Sequence, residues 1–314
     1  EKLSTCIAGW ITSHDPHRRF RQRGMAMTSA KKLFDGLEHS YLGSPLKRLS
    51  VAHSVVTNVP RPFVAACGVA KRFKLHPACR WNDGLRMLMG WHDYGMKEVY
   101  SRFVAPGMTV IDVGANIGYH STVLSALVGP VGRVYAFEPD PECYQILEYN
   151  VSRSKYRNVT PVQLAVCHKV GTTKFFETEE CGTHSLFNVR PNLTRRILTV
   201  NTTTIDAFLA NHGNPDVGFI KIDTEGAEST VLAGMNGLLS RGTAISIILE
   251  FCPTYIETTR GDPKAFLSHL NAEFGQCELI LPDGALTAAD LSAIDSLMAL
   301  RNEVHVDLLV QTHR

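Results

Sequence analysis

The sequence predicts an α/β fold of the Rossmann-like kind, an open and mostly parallel sheet with helices packed on its faces. Three observations carry that prediction. From residue 108 onward, short apolar strands alternate with helical segments, the pattern of βαβ units. The first of these strands runs directly into a loop with two glycines and then a helix, the context of a nucleotide-binding turn. The segment Ala244–Leu249 (Ala-Ile-Ser-Ile-Ile-Leu) is apolar at nearly every position, as suits a central strand covered on both faces.

Taken in order, the expected strands are Thr109–Val113, Arg133–Phe137, Thr160–Leu164, Val217–Ile222 and Ala244–Phe251, with a closing pair at Cys277–Leu281 and Val304–Val310. Helices are expected at Gly118–Val128, Pro141–Ser152, Ala227–Leu239 and Pro263–Asn271. A long insertion, roughly 166–212, separates the third strand from the fourth. Upstream the pattern is mixed. Lys31–Leu42 places Leu33, Leu37 and Tyr41 on one helical face, and Val69–Leu75 and Trp81–Met89 read as strands. Gly95–Val104 is helical until Pro106-Gly107 stops it. The chain therefore divides into an amino-terminal extension, 1–72, and an α/β domain, 73–314.

Composition is that of a globular protein: 314 residues, 44% apolar and 20% charged, which disfavours disorder over the whole chain. The net charge of +2 hides an asymmetry. Residues 1–98 carry 16 Lys and Arg against 7 Asp and Glu, and the remainder carries 16 against 23. The basic excess peaks at Arg18, Arg19, Arg21 and Arg23. Such a run reads first as a solvated segment, and only Trp10 and Phe20 precede Phe34 as stacking partners for bases, which speaks against a nucleic-acid binder. The eight cysteines form no C-x-x-C and no His/Cys cluster, so a reducing, cytoplasmic setting without disulfides or structural zinc is expected. No run approaches the roughly 18 apolar residues of a membrane span. The start lacks a signal-peptide pattern and an initiator Met, and reads as a segment of a longer chain.

Two motifs point to a ligand. Ile111-Asp112-Val113-Gly114-Ala115-Asn116-Ile117-Gly118 ends a strand and opens a helix, whose free N–H groups suit a carboxylate. Ala136-Phe137-Glu138-Pro139-Asp140 then places an acid about 20 residues past Gly118, the separation at which a carboxylate accepts from two ribose hydroxyls. A dinucleotide fingerprint needs a second glycine for its pyrophosphate, and Asn116 stands there. S-adenosylmethionine carries no phosphate, and Asp112 would complement its ammonium and sulfonium charges.

Together with Lys221-Ile222-Asp223-Thr224-Glu225-Gly226-Ala227-Glu228, these motifs resemble the FkbM-type methyltransferases from about Phe73 to Val310. The resemblance implies a class I methyltransferase fold, with a seven-stranded sheet whose last strand is antiparallel. It implies S-adenosylmethionine as methyl donor and a hydroxylated small molecule, sugar-like or polyketide-like, as acceptor. Carried over by position, Asp112, Gly114, Asn116 and Gly118 form the cofactor loop and Glu138 the ribose contact. Either Gln163 or the backbone of Ala165 would meet the adenine.

A hydroxyl acceptor benefits from a general base. Asp223, at the carboxyl end of the fourth strand, is the first candidate, with His120 and His184 as others. The competing reading makes Asp223 or Thr224 a helix cap, with Glu225 and Glu228 complementing the helix dipole. Glu225 and Glu250, at the same sheet edge, are candidate acceptor contacts. Asp223, Glu225 and Glu250 are also of the type that holds Mg²⁺, but no spacing compels a metal and none is assigned. The competing functions are a nicotinamide-dependent oxidoreductase, disfavoured by Asn116, and a methyltransferase acting on nucleic acid.

Overall fold

Helices flank a main sheet whose central strands bury both faces. The computed structural model describes residues 73–79, 83, 84, 87, 92–299 and 304–312. The expectations for Lys31–Leu42, for residues 69–72 and for the Arg18–Arg23 run lie outside the described residues. In chain order the elements are α1 Tyr94–Phe103, β1 Thr109–Val113, α2 Tyr119–Val128, β2 Arg133–Phe137, α3 Pro141–Ser152 and β3 Val159–Val162. Next come β4 Ala165–Val166, β5 Gly171–Thr178, β6 Thr194–Thr203, α4 Ile205–Ala210, β7 Val217–Ile222, α5 Glu228–Leu232 and α6 Asn236–Leu239. The chain closes with β8 Ser246–Phe251, α7 Pro253–Thr258, α8 Pro263–Phe274, β9 Glu278–Ile280, β10 Leu286–Ala288, α9 Leu291–Ala299 and β11 Val306–Gln311.

The main sheet runs β10-β9-β11-β8-β7-β1-β2-β3. Strands β3, β2, β1, β7 and β8 pair in parallel, while β11 is antiparallel to both β8 and β9. That is the class I methyltransferase fold. Val110, Leu124, Val128, Val134, Phe219, Ile248 and Leu309 form the core between sheet and helices. Each such side chain stabilises the fold by about 1.5–3 kcal/mol on burial. The order of strands reverses at β1, where β7 joins its other side, so the crevice beyond their carboxyl ends is the topological switch point where open α/β sheets bind ligands.

Several expectations are corrected. The sheet has an eighth strand, because Leu281-Pro282-Asp283-Gly284 turns back and lets β10 pair with β9. The expected helix Ala227–Leu239 is two short helices. A Cβ on Gly234 would lie 2.3 Å from the Cys167 carbonyl oxygen, so the backbones meet there and the helix breaks. Of the expected strand Trp81–Met89, the described residues Asp83, Gly84 and Met87 are helical. Residues 73–75 of the expected strand Val69–Leu75 carry no strand either. The insertion is a second sheet, β4-β6-β5, with Ala165, Phe175 and Val200 as its own small core. Among the described residues, no helix is long and apolar enough to cross a membrane.

Candidate active site

Parallel strands deliver their carboxyl ends to one edge, and there a cavity of about 300 Å³ opens. Its walls come from the loops after β1, β2 and β7, from the insertion and from the segment ahead of α1.

The loop after β1 is stitched to its neighbours by backbone bonds. Gly114 and Ala115 N–H donate to the Phe137 carbonyl at 3.0 and 2.9 Å, and Asp223 N–H donates to the Val113 carbonyl at 3.0 Å. Gly114 has φ +80°, and a Cβ there would stand 1.8 Å from the Asp223 carbonyl oxygen. Glycine is therefore required by this backbone crossing, before any ligand is considered. Asn116, also left-handed at φ +48°, donates its N–H to Glu138 Oε2 at 2.8 Å.

Glu138 lines the cavity and is buried. Its Oε1 accepts the Asp140 N–H at 2.8 Å. Burial pushes its carboxyl up to about 8, against the two backbone donors. Asp140 in turn caps α3 through the N–H groups of Glu142 and Cys143.

The opposite wall is charged. Lys221 in β7 and Asp223 directly after it are two apart in the chain, and Lys221 Nζ meets Asp223 Oδ2 at 2.8 Å. Burial works against the Lys221 charge, but Asp223 and then Asp112 outweigh it and raise the ammonium above its ordinary value. Burial alone would raise Asp223, and the Lys221 ammonium reverses this and holds it below the usual carboxylate range. Asp223 is thus an ion-paired carboxylate facing the cleft and not a helix cap; the N-cap of α5 is Ala227. Glu228 organises the turn, its Oε1 accepting from Thr224 N, Thr224 Oγ1 and Gly226 N.

Both candidate histidines reach the cavity. His120 lies between Tyr100 Oη, 3.0 Å from Nδ1, and Asp93 Oδ2, 3.3 Å from Nε2. Burial, then the charge of Lys221, lowers its imidazole below the ordinary range. Asp93 also meets His92 Nε2 at 3.1 Å. His184 accepts the Thr178 N–H on Nδ1 at 3.1 Å, and burial lowers it too.

Other expected residues stand back from the cavity. Asp112 is fully buried behind it, where Oδ2 accepts from Ser121 Oγ at 2.6 Å. Gly118 faces Leu147 and Val151, so it serves the packing of α2 on α3. Gln163 is exposed and off the wall, which takes the next three residues, Leu164, Ala165 and Val166, instead. Glu250 does not line the cavity; its Oε1 pairs with His305 Nδ1 at 2.6 Å, beside Glu225, which does.

The sequence reading missed Asp93 and His92, Lys221, Arg190 and the use of the insertion as a wall. For Lys221 the signal was present, in its i, i+2 relation to Asp223. Cys181, Gly182, Thr183, Leu186 and Arg190 come to the cleft only because the insertion folds back, with Cys181 Sγ donating to Asn116 Oδ1 at 3.1 Å.

A family profile, the methyltransferase FkbM domain, matches residues 112–278, the stretch from the Asp112 loop through β8 to β9. The chain belongs to this family. The cofactor of this family is S-adenosylmethionine. Among curated relatives, the hexuronic acid methyltransferase AglP of Haloferax volcanii is 30% identical over 130 residues, 41% of this chain and 50% of that protein. A protein-L-isoaspartate O-methyltransferase of Methanothrix thermoacetophila is 45% identical over 56 residues, 18% of this chain and 27% of that protein. The chain thus spans half or less of these relatives. Among solved structures, precorrin-6y C5,15-methyltransferase from Geobacter metallireducens GS-15 aligns with 71% of this chain and 89% of its own, at 14% identity and a TM-score of 0.38. A SAM-dependent O-methyltransferase from Thermotoga maritima covers 70% and 66%, at 14% identity and a TM-score of 0.36.

Proposed function

We propose that this FkbM-family protein transfers the methyl group of S-adenosylmethionine to a hydroxyl oxygen of a sugar-like small molecule. The observation that carries the reading is the polarity of the cleft, with the Glu138 carboxyl at one end and the Asp223–Lys221 pair at the other. The name of one relative, a hexuronic acid methyltransferase, supports a sugar-like acceptor.

The residues fit the donor. A carboxylate offers about four acceptor positions, and Glu138 spends one on Asn116 and one on Asp140. Acceptor capacity remains for two ribose hydroxyls. Ala165, buried in the cavity wall, would border the adenine, and the Gly114–Asn116 loop the methionine portion. When bound, the donor supplies a methyl carbon already activated by its sulfonium.

The chain's own task is then alignment and proton removal. Holding the acceptor oxygen in line with that carbon removes a large entropic part of the barrier. Asp223 accepts the hydrogen bond of the acceptor hydroxyl and takes its proton as the oxygen–carbon bond forms. Lys221 keeps Asp223 ionised for this. A weakly basic carboxylate suffices, because the hydroxyl proton becomes steeply more acidic as its oxygen gains a third bond. His120, neutral and held by Asp93 and Tyr100, and His184 flank the acceptor. Residues 1–72 form an extension ahead of this domain, 73–314.

The test is transfer of labelled methyl to a panel of monosaccharides, hexuronic acids and their glycosides. The expected product carries the label as an ether that survives mild alkali. Label released by alkali marks a methyl ester, and label found only on protein or RNA marks a macromolecular acceptor. Either result overturns the reading.

A further inference from the structure

We propose that Glu225, Glu250 and His305 form a binding site for one divalent cation of the Mn²⁺ or Zn²⁺ kind. Three separate elements bring these residues together. Glu225 lies in the loop after β7, Glu250 near the end of β8, and His305 directly before β11. One ligand atom from each lies within 4.8 Å of the others. That spread closes on a metal about 2.0–2.2 Å from each donor after small rotations of the side chains.

The second observation is unspent acceptor capacity. Glu225 is only 9% exposed. Its Oε2 and the Oε2 of Glu250 are both buried without a hydrogen-bond partner. Buried carboxylate oxygens are normally paired or bound to a metal. Here two such oxygens sit in one cluster, and the single imidazole beside them is already shared with Glu250 Oε1 at 2.6 Å.

The nearby charges are mostly negative, and His305 and the Arg190 guanidinium are the cations that bear on Glu225. Asp307 opposes Glu250 in the strand register, and Asp223 lies close by. Lys221 is engaged by Asp223, while Arg190 stacks on Tyr255 and reaches Glu180 at 3.8 Å. A bound cation would offset the two facing carboxylates. A donor set of two carboxylates and one imidazole suits Mn²⁺ or Zn²⁺ better than the all-oxygen shell of Ca²⁺. Glu225 lines the cleft, so the cation would face the acceptor's hydroxyls, a role that rests on the methyl-transfer reading above.

The site itself is tested without donor or acceptor, so its failure leaves that reading standing. The full chain, stripped with chelator, is titrated with MnCl₂ and separately with ZnCl₂ alone, by calorimetry, with the electron paramagnetic resonance of free Mn²⁺ as a second readout. One equivalent of at least one ion is expected to bind and to raise the thermal midpoint. Glu225→Gln, Glu250→Gln and His305→Asn should each weaken that binding at least tenfold, so one poorly folding variant leaves two others. Asp93→Asn removes the carboxylate of one of the two other metal-type clusters, His92, Asp93 and His120, and should bind normally. The proposal is overturned if the wild type binds neither ion. It is equally overturned if binding survives in the folded members of the first three variants, or is lost in Asp93→Asn instead.

Discussion

The Glu138 carboxyl is pushed up to about 8 by its burial, so in the free protein it is largely protonated at neutral pH. Accepting hydrogen bonds from two ribose hydroxyls requires the carboxylate, so donor binding expels a proton below pH 8. Each unit below that point then weakens binding about tenfold, or about 1.4 kcal/mol. From pH 8 down to pH 6 the affinity for S-adenosylhomocysteine, a stable stand-in for the donor, should fall about fiftyfold. Calorimetry in buffers of different ionisation enthalpy measures both the affinity and the released proton. The ligand's own amino group titrates in the same range, so the comparison is with Glu138→Gln, in which only the ligand's titration remains. The same shift has a consequence for stability. A carboxyl whose folded value lies above its unfolded value contributes stability at low pH and loses it as pH rises. The thermal midpoint without ligand should therefore decline between about pH 4.5 and 8 in the wild type, and less in Glu138→Gln. Identical pH profiles for the two proteins would refute the reasoning, and would mean that Glu138 does not take the ribose.

Gly114→Ala should unfold or severely destabilise the domain, since the new Cβ would stand 1.8 Å from the Asp223 carbonyl oxygen in a left-handed backbone; a variant of wild-type midpoint that merely loses donor binding would show that the loop shifts freely. Asp223→Asn should keep donor affinity while turnover falls by about 10²–10⁴-fold, the usual worth of a general base. It should also lower stability, because it leaves buried Lys221 without its ionic partner. Denaturant unfolding and single-turnover kinetics on the same preparation separate the two effects, and unchanged turnover would remove Asp223 from the chemistry.

Much of the scaffold was legible in the chain because strand and helix periods are local. The boundaries of β1, β2, β7 and α3 fall where the apolar pattern ends, at Thr109–Val113, Arg133–Phe137, Val217–Ile222 and Pro141–Ser152. The motif that opens at Asp112 likewise announced a ligand loop, since a strand, a glycine turn and a helix start are contiguous in sequence. Roles within that motif were less legible. Gly114 and Gly118 read as cofactor residues, yet each is dictated by what it packs on, the Asp223 backbone and Leu147. Asp112 read as a ligand contact, yet Ser121 holds it behind the wall.

What the sequence by itself determined, then, is the placing of most strands and helices along the chain, the family and the donor, all carried by residues near one another in the chain. Only the tertiary structure decided which distant groups meet. Asp93 joins His120 across 27 residues of chain, Glu250 joins His305 across 55, and the insertion brings Cys181 to Asn116 across 65. The physical reason lies in parallel topology. Each crossover returns the next strand's carboxyl end to the same edge, so residues remote in sequence share one cleft there. No local periodicity encodes which of them will touch.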